Sequence, residues 1–103
     1  MRIKVEIIGG AGYTAGELIR ILLNHPHAEI KFVQSSSNHG QLISSVHEDL
    51  TGDTDMKFSD PDFNTVDVIF LCSGHGKAKE FMAQHTLPEK VKVDSVFVSE
   101  VAG

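Results

Sequence analysis

Three glycines near the start of the chain could bind phosphate. Gly9, Gly10 and Gly12 separate an apolar, β-branched run at 3–8 from an apolar helical pattern at 17–23. A strand that turns on glycines into a helix leaves backbone N–H groups without acceptors at the helix N-terminus, where the helix dipole also favours an anion. The spacing G-x-x-G-x-x-A, with an overlapping G-x-G, is typical of dinucleotide-binding folds. The residues therefore predict a dinucleotide site, while the same glycines would also permit a tight turn that binds nothing.

The residues of this turn have different predicted roles. Gly9 should make the tight turn, Gly12 should be the point of closest approach to phosphate, and Ala15 should pack closely on the strand. Tyr13 and Thr14 are expected at loop positions, where backbone donors matter more than side chains. The predicted phosphate-binding set consists of Gly9, Gly10, Ala11, Gly12, Tyr13, Thr14 and Ala15.

A polar run follows the second predicted strand, at 29–34. Folds of this class often carry an acid here, which accepts a hydrogen bond from the ribose 2′-hydroxyl of NAD. Positions 34–40 contain no Asp or Glu. Hydroxyls and an amide can donate to a 2′-phosphate, which favours NADP over NAD, although Ser and Asn are also ordinary loop residues. The residues predicted to face the adenosine end are Ser35, Ser36, Ser37 and Asn38.

Further along the chain, the pattern predicts a buried strand at 66–72, a helix at 77–85 and a last strand at 91–98. Before these elements, at 41–62, the periodicity is poor: 42–50 could form a short helical turn or an extended cover, and 56–59 a short strand. A strand-helix-strand order with buried strands indicates an α/β fold with a Rossmann-like, doubly wound, mainly parallel sheet in a single domain.

The loop after the strand at 66–72 should meet the other two loops at one edge of the sheet. Ser73, Gly74 and His75 are therefore predicted to contact the cofactor, with a purely structural role for His75 equally open. Cys72 is expected to be a small core residue. No catalytic residue is predicted, because the one cysteine is expected in the core. No metal ligand is predicted, because the six histidines and one cysteine show no metal-binding spacing.

Composition excludes several other functions. The 103 residues are 41% hydrophobic and carry a net charge of −5, which is typical of a globular domain and disfavours nucleic acid as a partner. No apolar run is long enough for a membrane helix. The first strand follows the initial Met at once, so we expect no signal peptide, and the single cysteine is consistent with a cytoplasmic location.

The run GGAGYTAGELIRIL at 9–22, followed by His25 and Pro26, resembles the amino-terminal lobe of the N-acetyl-gamma-glutamyl-phosphate reductase family, relatives of aspartate-semialdehyde dehydrogenase. Further similarity lies at 35–40, 43–52 and 67–76, and the resemblance covers 2–93. It implies NADPH-dependent reduction of an acyl phosphate to a semialdehyde in arginine biosynthesis, by a cytoplasmic homo-oligomer.

In that family, a cysteine thiolate and a histidine of a second lobe perform the chemistry. The resemblance therefore implies that 1–103 is a dinucleotide-binding domain without the catalytic lobe, inactive alone, with that lobe as its partner. The segment 94–103 departs from the family pattern. Two alternatives stay open. One is a free-standing, non-catalytic module that senses nucleotide or supports assembly. The other is another dehydrogenase, such as the related aspartate-semialdehyde dehydrogenase, which the residues Tyr13, Thr14, Glu17 and Leu18 disfavour.

Overall fold

The computed structural model describes residues 2–60, 62, 64–72 and, for the backbone only, 92–95. The elements in chain order are strand β1 (Ile3–Ile8), helix α1 (Tyr13–Leu23), strand β2 (Ala28–Gln34), two single-turn 3₁₀ helices (Ile43–Ser45 and Glu48–Leu50), strand β3 (Val68–Leu71) and strand β4 (Lys92–Ser95).

The four strands form one parallel sheet in the order β2-β1-β3-β4. The chain moves from β1 to β2 on one side and then returns to β3 on the other side of β1. This reversal makes the carboxyl ends of β1 and β3 a topological switch point, where α/β sheets bind ligands. The predicted α/β fold with a Rossmann-like, mainly parallel sheet is confirmed.

The core of the described part of the chain lies between α1, one face of the sheet and the segment that connects β2 to β3. Helix α1 forms because its apolar residues recur at three- and four-residue spacing. It ends at Leu23, with Asn24 as its C-cap, because Pro26 cannot continue a helix. The buried members of this core are Val5, Ile7, Ala15, Ile19, Val33, Ile43, Leu50, Phe58 and Cys72.

Helix α1 begins earlier than the periodicity predicts. Gly12 is its N-cap residue in an extended conformation, with φ −78° and ψ 167°, and the Gly12 carbonyl accepts the first helical hydrogen bond from the Gly16 N–H at 3.1 Å. The prediction that Tyr13 and Thr14 are loop positions is therefore wrong. They form the first turn of the helix, whose apolar stripe starts only after them.

The predicted short strand at 56–59 is also wrong. Only an isolated antiparallel bridge pairs Leu42 with Lys57, and the Ser59 N–H donates to the Val33 carbonyl at 2.9 Å. The segment 42–50 forms short helical turns, one of the two forms left open. Strands β2 and β3 overlap the predicted strands with somewhat different ends. Strand β4 lies within the strand predicted at 91–98, whose other residues lie outside the described ones. The predicted helix at 77–85 lies outside the described residues.

Candidate functional site

The glycine turn follows β1 at the switch-point edge of the sheet. Gly9 has a φ of +79°, in the left-handed region that favours glycine, as the predicted tight turn requires. Two donors of the turn are used within the chain, because the Gly9 N–H donates to Gln34 Oε1 at 3.2 Å and the Gly10 N–H donates to the Gln34 carbonyl at 2.7 Å. Gln34, the last residue of β2, thereby fixes the start of the turn.

The backbone N–H groups that follow have no acceptor among the described residues. They belong to Ala11, Gly12, Tyr13, Thr14 and Ala15, and the first hydrogen bond of α1 is donated only by Gly16. The N-cap has no side chain to satisfy them, and the first turn contains no acidic residue. This cluster of donors at the positive end of the α1 dipole is the arrangement that stabilises a phosphate.

Gly10 and Gly12 differ in the space around them. A Cβ atom at Gly10 would collide with the Val33 side chain and lie 3.3 Å from the Gln34 carbonyl oxygen, so Gly10 allows the turn to pack against β2. A Cβ atom at Gly12 would meet nothing within 4 Å. The open side of Gly12 is therefore available to a ligand.

A surface depression of about 360 Å³ joins the turn to the polar run after β2. It is lined by Gly9, Ala11, Gly12, Ser35, Ser36, Ser37 and Cys72. These residues come together because β1, β2 and β3 are parallel and all end at this edge of the sheet. The predicted Gly10, Tyr13, Thr14 and Ala15 adjoin this lining along the chain, and the side-chain N–H of Asn38 supports it by donating to Ser35 Oγ at 3.0 Å.

Cys72 belongs both to the core and to the wall of the depression. Its N–H donates to the Ile8 carbonyl at 2.9 Å, which holds it beside the start of the turn. The residue is buried, and burial raises the pKa of its thiol to about 11. The group is therefore a neutral thiol near pH 7, as expected of a core cysteine.

Two residues that contact the glycine turn, Gln34 and His47, were not predicted from the sequence to do so. Gln34 anchors the turn from β2, and the buried His47 places its ring Nε2 2.6 Å from the Gly10 carbonyl oxygen. His47 also packs on Gly16, where a Cβ atom would lie 2.6 Å from Nδ1 of the ring. Spacing along the chain does not predict either contact, since the contacts join positions 25 and 37 apart.

The predicted cofactor contacts Ser73, Gly74 and His75 lie outside the described residues. Within the described part, no group of three or more His, Cys, Asp or Glu side chains is arranged to hold a metal ion. No helix in that part is both long enough and apolar enough to span a bilayer.

The sequence matches the family described as semialdehyde dehydrogenase, NAD binding domain, over residues 4–96. The chain belongs to this family. Among its relatives, the N-acetyl-gamma-glutamyl-phosphate reductase of Bacteroides thetaiotaomicron is 56% identical over 92 residues, which are 88% of this chain and 29% of that protein. The reductase of Phocaeicola vulgatus is 55% identical with the same coverage. The resemblance inferred from the glycine turn is confirmed.

The semialdehyde dehydrogenase fold is also found by structural comparison. Aspartate semialdehyde dehydrogenase with NADP from Candida albicans superimposes with a TM-score of 0.72 at 17% identity, over 99% of this chain and 31% of that chain. At this identity the similarity establishes the fold alone. The chain spans less than a third of the length of the reductases it matches, in their amino-terminal, nucleotide-binding part.

Proposed function

We propose that this chain is the NADP-binding lobe of an N-acetyl-gamma-glutamyl-phosphate reductase. The depression that joins the glycine turn to the serines after β2 carries the proposal, because it brings together residues about 25 positions apart that a dinucleotide would contact at once. The pyrophosphate would lie on the N–H groups of 11–15, where Gly12 leaves open space. Support also comes from the identity of 56% to a curated reductase.

The adenosine end would lie toward Ser35, Ser36 and Ser37. Their hydroxyls can donate to a 2′-phosphate, and no carboxylate stands at 34–40 to repel it or to bind a ribose 2′-hydroxyl. Asn38 holds Ser35 in place through its side-chain N–H. The serine hydroxyls and the absence of a carboxylate at 34–40 favour NADP over NAD. Ser73, Gly74 and His75 remain proposed contacts on the third loop.

In the complete reductase, the bound dinucleotide would supply hydride for reduction of an acyl phosphate to a semialdehyde. The cysteine among the described residues is not an activated nucleophile, since burial raises the pKa of the Cys72 thiol to about 11. The chain's part in the reaction is thus to bind and orient the cofactor. A second, catalytic lobe would be its partner, in a cytoplasmic homo-oligomer that serves arginine biosynthesis.

Calorimetric titration of the chain with NADPH and NADH tests this function. We expect saturable binding of both, with NADPH at least about tenfold tighter, equivalent to about 1.4 kcal/mol. Tighter binding of NADH would contradict the assignment of Ser35, Ser36 and Ser37. Binding of neither would favour the free-standing module that only supports assembly.

A further inference from the structure

His47 contacts the phosphate-binding turn but is not among the residues that line the depression. Its Nε2 lies 2.6 Å from the Gly10 carbonyl oxygen, and the residue is only 9% exposed. A carbonyl oxygen only accepts hydrogen bonds, so Nε2 must carry the proton. The contact is therefore an N–H donor from the β2–β3 connection to the backbone of the turn.

The Gly10 carbonyl belongs to the same peptide unit as the Ala11 N–H. The described chain contains no cis peptide bond, and in a planar trans peptide the C=O and N–H groups point in opposite directions. Holding the Gly10 oxygen toward His47 therefore turns the Ala11 N–H away from His47. Ala11 lines the depression, and its N–H has no acceptor among the described residues.

The preceding peptide unit is held as well, because the Gly10 N–H donates to the Gln34 carbonyl at 2.7 Å. Both peptide units around Gly10 thus have an anchor, one from β2 and one from His47. The histidine ring fits against α1 only because position 16 is glycine, where a Cβ atom would lie 2.6 Å from Nδ1. Gly16 therefore provides the space that lets His47 reach the turn.

We propose that His47 is a positioning residue of the dinucleotide site, whose Nε2–H holds the Gly10 carbonyl so that the Ala11 N–H points at the pyrophosphate. This inference rests on the proposed function. The inference adds to the proposed site a residue that would not touch the dinucleotide but would determine the direction of one N–H donor, that of Ala11.

The test compares NADPH binding by wild-type protein with binding by His47→Leu, His47→Gln and the control His27→Leu. His27 is an exposed histidine just before β2, at the amino end of the strand, whereas the candidate site lies at the carboxyl ends. We expect His47→Leu to weaken NADPH binding about tenfold, since it removes one hydrogen bond that orients a donor. The His47→Gln side chain can offer an N–H near the same position and should restore most of the affinity, and His27→Leu should bind as wild type does.

Adenosine 2′-monophosphate, which has no pyrophosphate, separates positioning from general damage to the fold. It should bind wild-type protein and His47→Leu equally, whereas a misfolded variant would lose both ligands. Equal NADPH affinity of folded His47→Leu and wild type would overturn the inference and leave the proposed function intact. If wild type binds neither NADPH nor NADH, both are overturned.

If His47→Leu does not fold, the ¹⁵N spectrum of the wild-type histidine ring and the Ala11 amide resonance decide the question. The inference requires a protonated Nε2 and a change in the Ala11 amide resonance on addition of NADPH. An unprotonated Nε2, or an Ala11 resonance that NADPH leaves unchanged, would refute it.

Discussion

Gly10 and Gly12 are two positions apart in the same turn, yet each is glycine for a different reason. Gly10 has no side chain that would collide with β2, whereas Gly12 faces open space, where an added Cβ atom would meet nothing within 4 Å. Substitutions at the two positions should therefore separate folding from binding.

We expect Gly12→Val to abolish NADPH binding, weakening it at least about a hundredfold, because the side chain would occupy the space of the pyrophosphate. The fold should survive, since the extended backbone at φ −78° and ψ 167° suits valine and nothing within the chain lies in the way. Calorimetric titration and thermal denaturation measure the two effects. Retained binding in a folded Gly12→Val protein would contradict the location of the pyrophosphate.

Gly10→Ala is the matched comparison. Its methyl group would collide with Val33 and approach the Gln34 carbonyl, so we expect a loss of about 1 to 3 kcal/mol in the free energy of unfolding. Urea denaturation measures this loss. A stability equal to that of wild type would show that the turn can move away from β2.

Cys72 should react slowly with thiol reagents. Burial raises the pKa of its thiol to about 11, and only the thiolate is nucleophilic. We expect alkylation at pH 7.5 to be at least about tenfold slower than that of a free cysteine, and to accelerate as pH rises toward the thiol pKa. Because Cys72 lines the depression, saturating NADPH should slow it further. Labelling at the rate of a free cysteine would mean that the group is activated.

At the scale of elements, α1 serves both the site and the core. The N–H groups of its first turn have no acceptor among the described residues and adjoin the depression along the chain, and Gly16 accommodates the His47 ring. In an exposed helix, replacing glycine by alanine stabilises by about 0.5 to 1 kcal/mol. At position 16 the packing against His47 opposes this gain.

We therefore expect Gly16→Ala to destabilise the protein by about 1 to 2 kcal/mol in spite of the better helix propensity, and to weaken NADPH binding by displacing His47. Chemical denaturation and titration measure both effects. Arg20→Ala on the exposed side of the same helix is the control, since its ion pair with Glu17 is exposed and should contribute little. A more stable Gly16→Ala protein would show that the ring has room to shift.

The elements that were predicted from the sequence are those with strong local signals. β1, α1 and β2 follow from a β-branched run, a helical apolar stripe and a proline between them. The segment 42–58 was not predictable in detail, because long-range hydrogen bonds fix it: the Ile43 N–H donates to the Met56 carbonyl, and the Phe58 N–H to the Gln41 carbonyl, each at 2.9 Å.

The same distinction applies to the site. The meeting of the glycine turn with the serines at 35–37 could be predicted, because each follows a parallel strand and parallel strands end at the same edge of the sheet. The roles of Gln34 and His47 depend on side chains that cross between elements, for which spacing along the chain carries no signal.

At the scale of the whole molecule, Glu6 couples stability to pH. It lies in the middle of β1, paired with Phe32 and Ile69, is fully buried, and has no hydrogen-bond partner for either carboxylate oxygen among the described residues. Burial, and secondly the charge of Asp62, raise its pKa from 4.5 to about 8. The folded protein therefore favours the neutral carboxyl group.

For a carboxyl group whose pKa is raised on folding, the folded state retains a proton that the unfolded state releases, so stability falls as pH rises between the two pKa values. We expect the free energy of unfolding to fall by roughly 2 to 4 kcal/mol between pH 4.5 and pH 8 on account of Glu6. Glu6→Leu should remove this dependence and be more stable than wild type at pH 8. Urea denaturation at both pH values measures it.

The control for this prediction is Glu48→Gln, which changes an exposed carboxylate and should keep the pH dependence of the wild type. A Glu6→Leu protein with unchanged pH dependence would mean that another group is responsible.

The anchoring of the turn by Gln34 and His47 has a consequence for the order of events during folding. The strand, turn and helix at 3–23 contain every N–H donor proposed to bind the pyrophosphate, but the start of the turn is held by Gln34 and His47, which lie 25 and 37 positions beyond the turn residues that they contact. A nascent chain that has not yet closed these loops would present its amides in many orientations. Under the proposed function, coenzyme affinity would therefore depend on these long-range contacts, and saturating coenzyme should favour the fully folded chain over partly folded forms.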